Sequence, residues 1–264
     1  MKMRIIRFTY AAPDSFPGEC SFIVPTPSVG TQNFRTLLKS IIESELPDKN
    51  EIIAVESTGP DFNFSHSINE GIKMSKFRYK LLLNDDCVLT PRAIHNALDH
   101  EKRDNCLIGG LLYYPSGEIQ HCGGIVRFFL PITIVSFMLK GAPFFSIRDY
   151  VKAKKCSNYY LRTFHLRKQT SRNINYLTGA FLLISSDIIT KIGLFDENFK
   201  NGFEDLDFSI RAKKAGFGLC IPKDVIAYHT EHPSLKKLDS NYYDNLSYFT
   251  NKWRKDELIK ILRS

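Results

Sequence analysis

Residues 21–55 constrain the fold more than any other part of the chain. Ser21-Phe22-Ile23-Val24-Pro25 is a short apolar run of strand length, residues 33–45 place Phe34, Leu37, Leu38, Ile41 and Ile42 on one helical face, and Glu51-Ile52-Ile53-Ala54-Val55 is a second apolar run. A strand, a helix and a strand in that order imply parallel pairing through a right-handed crossover. The pattern continues with a helix over 67–75 and a strand over 79–83 that ends at Asn84-Asp85-Asp86. Open parallel sheets bind ligands at the carboxyl ends of their strands, so these acids fall where a site is expected.

Further along, Pro91 starts a helix through Leu98, and residues 106–114 read as a strand entering a hairpin at Pro115-Ser116-Gly117-Glu118, with 119–126 returning. Residues 176–185 form a buried strand, 187–192 a short helix, 204–215 an amphipathic helix stopped by Gly216, and 218–221 a last strand before Tyr228-His229. The tail from 242 to 263 reads as helical, with Leu246, Phe249, Trp253, Leu258, Ile259 and Ile261 available for docking on the body.

With 264 residues the chain has enough length for one large core. Its six cysteines are scattered, without a CxxC pair, which favours buried free thiols and a reducing cytoplasm. No export leader is expected from the basic start of the sequence, and the longest apolar stretch, 128–139, contains Pro131 and is well short of the ~20 residues a membrane helix needs. The net charge of +8 is concentrated in 127–175, where ten Lys or Arg stand against one Asp. Charge of this kind attracts nucleic acid, anionic lipid or a phosphorylated substrate without choosing among them.

Three groups bear on chemistry. Asn84-Asp85-Asp86 offers carboxylate oxygens to a hard cation such as Mg2+ or Mn2+, or forms a turn before Pro91. Glu204-Asp205-Leu206-Asp207 opens a helix, where one acid serves as a cap and three exceed what a cap requires. His229 follows an apolar run and is either a satisfied structural residue or, beside the acids, a further metal ligand.

Taken in order, several motifs resemble the nucleotide-diphosphate-sugar glycosyltransferases of family 2, which have the GT-A fold. They are Val24-Pro25-Thr26, Glu56-Ser57, Asn69-Glu70-Gly71, Leu83-Asn84-Asp85-Asp86, Ile119-Gln120-His121-Cys122-Gly123-Gly124, Leu177-Thr178-Gly179-Ala180, Gly193-Leu194-Phe195-Asp196-Glu197, Glu204-Asp205-Leu206-Asp207 with Arg211, Gly216-Phe217, Pro222 and His229. The likeness runs from about Ser21 to Trp253 and is greatest to bacterial enzymes that extend O-antigen, capsule or other surface polysaccharides. It implies an α/β fold with a Rossmann-like, mixed and mostly parallel sheet flanked by helices, a basic helical insertion at 127–175 and a C-terminal helix. A single GT-A domain would then cover 1–264, with a nucleotide-sugar half at 21–110, an acceptor and catalytic half at 111–235 and a tail at 236–264.

The same resemblance implies roles. Asp86 and His229 would hold Mn2+ or Mg2+; Asp205 would be the general base and Glu204 its positioning partner. Pro25, Thr26, Glu56, Asn69, Asn84, Asp85 and Gly179 would meet the donor, and His121 and Asp207 the acceptor. A carboxylate that takes the proton of an attacking hydroxyl, with no covalent intermediate, implies an inverting hexosyl- or deoxyhexosyltransferase. Its partners would be a nucleotide-diphosphate sugar and a glycan, lipid-linked or glycoprotein acceptor. The Phe128-Phe129, Phe137-Met138 and Phe144-Phe145 pairs, with Lys152-Ala153-Lys154-Lys155 and Arg167-Lys168, would form a peripheral membrane contact at the inner face of the cell membrane or a packed insertion. Two departures from the pattern stand out: Glu56 replaces the usual Asp, and the short stretch 57–67 leaves the third strand of the nucleotide half missing or compressed.

Two other classes compete. A nucleotidyltransferase would also use acids and Mg2+, but it favours a Gly-rich basic loop after the first strand, and Pro25-Thr26-Pro27-Ser28-Val29-Gly30 has no Lys or Arg. A non-catalytic nucleic-acid- or lipid-binding protein would explain the basic segment and leave Asp86 and Asp205 without a purpose. No helix-turn-helix, zinc or RNA-binding signature accompanies it, so no nucleic acid is expected.

Overall fold

The computed structural model describes residues 2–10, 15–59, 62–128, 147–159, 161–166, 174–230 and 240–263. Its centre is a seven-stranded sheet. β1 (Lys2–Phe8), β2 (Ser15–Thr26), β3 (Leu46–Thr58), β4 (Tyr79–Leu83), β6 (Leu107–Gly109), β11 (Phe181–Ser185) and β12 (Leu219–Cys220) lie in the order β1-β3-β2-β4-β11-β6-β12. β2 is parallel to both β3 and β4, as the strand, helix, strand order requires. The remainder is mixed: β11 runs antiparallel to β4 and β6, and β12 parallel to β6.

Both faces of this sheet are covered, which accounts for the unbroken apolar runs in its strands. Successive side chains of β2 alternate between the faces. Phe22 and Val24 pack with α1 (Gln32–Ile42) and α3 (Ala93–Asp104), through Phe34, Leu37, Ile94 and Leu98. Ile23 packs on the opposite side with α2 (Phe64–Met74), α5 (Ser186–Ile192) and α6 (Glu204–Lys214), through Ile68, Ile72, Ile188 and Phe208. Each such side chain, when fully buried, contributes about 1.5–3 kcal/mol. Thr31 and Asn63 cap α1 and α2 by accepting from Phe34 and His66 backbone N–H groups at 3.2 and 2.9 Å. Gly71 brings α2 down onto β2, because a Cβ there would lie 2.4 Å from Ile23 Cγ2.

The structure departs from the sequence expectation in four places. The edge beyond β3 is filled by the N-terminal strand β1, paired antiparallel from Lys2↔Thr58 to Phe8↔Ile52, which takes the place of the compressed third strand. The expected strand over 106–114 is broken at Gly109-Gly110. β6 stays in the large sheet, while β7 (Leu111–Tyr113) joins a four-stranded sheet ordered β5-β13-β7-β8, with β5 (Cys87–Leu89), β8 (Ile119–His121) and β13 (Ile226–His229). A Cβ on Gly110 would meet the Phe181 ring at 2.8 Å, so the change of sheet needs glycine. The tail is two helices, α7 (Ser240–Lys252) and α8 (Lys255–Arg263), separated at Trp253-Arg254. Part of the basic insertion is not helical.

Within that insertion, α4 (Ile147–Cys156) packs Ala153 into a cluster with Leu246, Phe249 and Trp253 of the tail region. β10 (Leu161–His165) pairs with β9 (Gly124–Phe128). Phe129, Phe137-Met138, Phe144-Phe145 and Arg167-Lys168 lie outside the described residues, while Phe128 packs against Tyr159. Among the described residues no helix is long and apolar enough to cross a membrane. All six cysteines are free, with the Cys106 and Cys220 thiols 2.8 Å apart.

Candidate active site

The site is built on the carboxyl ends of the parallel strands. Register alone sets Thr26 beside Glu56, since these residues are partners at the ends of β2 and β3. Thr26 Oγ1 donates to Asp85 Oδ2 at 2.7 Å, tying β2 to the turn after β4. Glu56 accepts from the Val29 N–H at 2.8 Å and from Ser28 Oγ at 3.4 Å, so its carboxylate shapes the loop that follows β2. Pro25 is buried within the end of β2.

Asn84-Asp85-Asp86 is a turn, closed by the Cys87 N–H to the Asn84 carbonyl at 3.2 Å. It is also the meeting point with β13. β5 pairs antiparallel with β13 in the register Cys87↔His229, and the Thr230 N–H bonds the Asp86 carbonyl at 3.2 Å. This register delivers His229 Nε2 to 3.1 Å from Asp86 Oδ1 and 3.2 Å from Asn84 Nδ2. The turn is therefore what aims the Asp86 side chain at His229.

Asp86, Cys87 and His229 each offer a ligand atom within 4.8 Å of one another. Cys87 is a poor member of the set: its thiol donates to the Ala180 carbonyl at 3.2 Å, and burial pushes its pKa well up. What remains is an imidazole nitrogen and a carboxylate oxygen, flanked by Asp85 and Asn84, a donor set suited to Mn2+ or Mg2+.

The acid pair stands at the start of α6, whose N-cap, Phe203, has φ 72° and gives no side-chain cap. Asp205 accepts from the Leu206 N–H at 2.7 Å, and the nearby Gly179 amide favours its ionised form. Glu204 accepts from the Gly202 N–H. Burial raises both acids, and for Glu204 the neighbouring charge of Asp205 adds to the effect.

The turn at 178–180 joins the two clusters. The Ala180 carbonyl accepts from the Asn84 N–H at 3.1 Å and from the Cys87 thiol, while the adjacent Gly179 amide lies near Asp205. A second route runs through imidazole and phenol rings. His121, only 1% exposed, has Nδ1 2.7 Å from His165 Nδ1, and both rings pack about Tyr176 at centroid distances of 6.1 and 6.0 Å. Burial and the nearby His165 and His229 push His121 far down, so it is neutral, and its Nε2 is buried without a hydrogen-bond partner. The phenol of Tyr176 is held up by burial and by Asp205.

Two expected site residues are engaged elsewhere. Asn69 is buried, donates to the Phe195 carbonyl at 2.9 Å and to Glu197 Oε1 at 2.7 Å, and accepts from the Phe195 N–H at 2.9 Å. Asp207 is fully buried and accepts from Arg211 Nε at 2.8 Å, Trp253 Nε1 at 2.9 Å and Lys252 Nζ at 2.8 Å. One residue at the site was not anticipated as functional. Gln120, in β8, bonds both the ring and the backbone carbonyl of His229. Its only sequence signal is a buried amide in a short strand ahead of Cys122-Gly123-Gly124.

The large mixed sheet, covered on both faces and carrying acids at its strand ends, defines an open-sheet α/β class of protein. The profile of glycosyltransferase-like family 2 matches residues 38–242, and the chain belongs to that family. Among curated relatives, the uncharacterized glycosyltransferase YfnE of Bacillus subtilis is 36% identical over 66 residues, which cover 25% of this chain and 17% of that protein. The uncharacterized protein y4gI of Sinorhizobium fredii is 23% identical over 201 residues, or 73% of this chain and 20% of that one. The chain thus spans a fifth or less of the length of these relatives. The crystal structure of GalNAc-T7 with UDP, GalNAc and Mn2+ superposes with a TM-score of 0.59 at 11% identity, covering 91% of this chain and 49% of the other. That likeness establishes the GT-A fold.

Proposed function

We infer that the chain is an inverting, metal-dependent glycosyltransferase that moves a hexosyl or deoxyhexosyl group from a nucleotide-diphosphate sugar to a hydroxyl of a glycan, lipid-linked or protein-linked acceptor. The observation that carries this reading is the 178–180 turn, whose Ala180 carbonyl bonds the Asn84–Asp86 turn while its Gly179 amide lies near Asp205. Family membership supports the reaction class, and the presence of UDP, GalNAc and Mn2+ in the GalNAc-T7 crystal structure supports the donor and metal class.

Asp86 and His229 would hold the divalent cation, Mn2+ or Mg2+, with Asp85 and Asn84 beside it. Such a cation, when bound, offsets the charge that develops on the leaving diphosphate. Thr26 fixes the Asp85 carboxylate, and Glu56 shapes the 28–29 loop against which the nucleoside would lie. The buried position of Pro25 keeps that strand end rigid. Asp205 would take the proton of the attacking hydroxyl, and the Leu206 N–H fixes one of its oxygens for that task. Glu204, buried next to it, tunes and positions the base. His121, proposed as an acceptor contact, is neutral but 1% exposed, so its unpartnered Nε2 would meet an acceptor hydroxyl only if neighbouring side chains shift.

Asn69 and Asp207 are better read as braces. Asn69 holds the 195–197 segment on α2, and Asp207 anchors the C-terminal tail. The chain is proposed to work at the cytoplasmic side of the membrane, with 127–175 as its contact to acceptor or lipid. Screening nucleotide sugars for Mn2+-dependent release of the nucleoside diphosphate, with wild type and Asp205→Asn side by side, tests the assignment. Turnover of one donor by wild type alone is the expected outcome.

A further inference from the structure

Gln120 makes two bonds to the same residue. Its Nε2 lies 3.1 Å from the His229 backbone carbonyl, and its Oε1 lies 2.7 Å from His229 Nδ1. A carbonyl oxygen can only accept, so the NH2 end of the amide must face it, which removes the usual O/N ambiguity of a glutamine. The Oε1 end is then turned to the ring and can only accept from it. Nδ1 must carry a proton.

The consequence falls on the other nitrogen. With Nδ1 protonated in the neutral ring, Nε2 presents a lone pair, which fits the donor Asn84 Nδ2 at 3.2 Å. That lone pair also faces Asp86 Oδ1 at 3.1 Å, a pairing that needs a positive charge between the two atoms, either a proton on Nε2 or a metal ion that replaces it. We propose that Gln120 is a positioning residue that locks His229 in the Nδ1–H tautomer and aims Nε2 at the metal held with Asp86. The proposal rests on the metal role inferred above for Asp86 and His229, and adds a residue that determines how well the pair binds.

Burial strengthens the case. Gln120 is 5% exposed, and β13 is held by β5 on one side and β7 on the other, so neither the amide nor the imidazole has an easy alternative geometry. Partners of metal-bound histidines that occupy the second ring nitrogen commonly govern metal affinity by about 10–100-fold.

The test is Mn2+ binding by the purified chain, followed by the loss of the free-ion paramagnetic resonance signal, for wild type, Gln120→Met and Gln120→Glu. Gln120→Met keeps the length and loses both bonds; its Mn2+ affinity should fall about 10–100-fold. Gln120→Glu still accepts from Nδ1–H and should recover most of that loss. Equal affinity in wild type and Gln120→Met, or an equal loss in both variants, overturns the proposal. Absence of Mn2+ binding by wild type would instead remove the metal reading of Asp86 and His229 itself. Ring 15N shifts of wild type in mildly alkaline buffer, with His229→Gln for assignment, read the tautomer directly and do not depend on the Gln120 variants folding. An Nδ1–H, Nε2-bare ring at position 229 supports the proposal, and the opposite tautomer contradicts it.

Discussion

The backbone N–H of Leu206 donates to Asp205 Oδ1 at 2.7 Å, so the first turn of α6 fixes its own acid, with the Gly179 amide of the turn before β11 nearby. A carboxylate held this way is already oriented when substrate arrives. Asp205→Asn keeps the shape and an accepting oxygen but removes the basicity. The expected result is a fall in kcat of about 10²–10⁴-fold, with donor affinity within a few-fold of wild type, measured by single-turnover kinetics and donor titration.

The pH dependence follows from the same pair. Burial pushes Asp205 up to about 6, against the opposing effect of the Leu206 and Gly179 amides. A raised value means that the proton stays on to higher pH than on a free Asp, and the protonated acid cannot serve as a base. The rate should therefore rise with pH through about 6 and then level, as seen in kcat/KM. Glu204, raised to about 7 by burial and by the Asp205 charge, is still largely protonated while Asp205 titrates, so Glu204→Gln should leave that midpoint nearly unchanged.

Much of this was legible in the sequence, for reasons that differ by residue. The β2, α1, β3 unit and the acids at the end of β4 follow from periodicity and from where parallel sheets place ligands. Partnership between Asp86 and His229 does not, because it depends on a strand register, Cys87↔His229, that no local pattern encodes. β1 escapes sequence reading for a similar reason: its pairing is with β3, and Arg4 and Arg7 conceal the apolar alternation. Asn69 and Asp207 carry suitable chemistry in a suitable motif, yet their hydrogen bonds are committed to Phe195, Glu197, Arg211, Lys252 and Trp253. The proposed reading of both as braces rests on these tertiary contacts, which no local pattern shows.

Asn69→Ala is expected to lower stability and leave the donor site alone. It removes three hydrogen bonds and leaves buried groups at Phe195 unpaired, a loss of about 1–3 kcal/mol. Chemical denaturation and a donor titration on the same sample check both halves of the statement.

Asp207→Ala is expected to be more damaging. It would leave Arg211 and Lys252 without their shared carboxylate and the Trp253 indole N–H without its acceptor, beneath the C-terminal helices. Loss of one side of a buried charge network costs about 3–5 kcal/mol. A fall in Tm of roughly 10 °C follows, read by calorimetry.

Asp86 and His229 can serve a nucleotide-diphosphate donor only if the cation between them is what holds the diphosphate. Titration calorimetry of UDP and GDP, each with Mn2+ and with chelator, into wild type and Asp86→Ala decides the matter. Wild type should bind one of the two nucleotides in Mn2+ and lose roughly 100-fold in affinity with chelator, and Asp86→Ala should bind as weakly in Mn2+ as wild type does without it. Binding by wild type that is unchanged in chelator, or a full Mn2+ response in Asp86→Ala, would contradict the metal site.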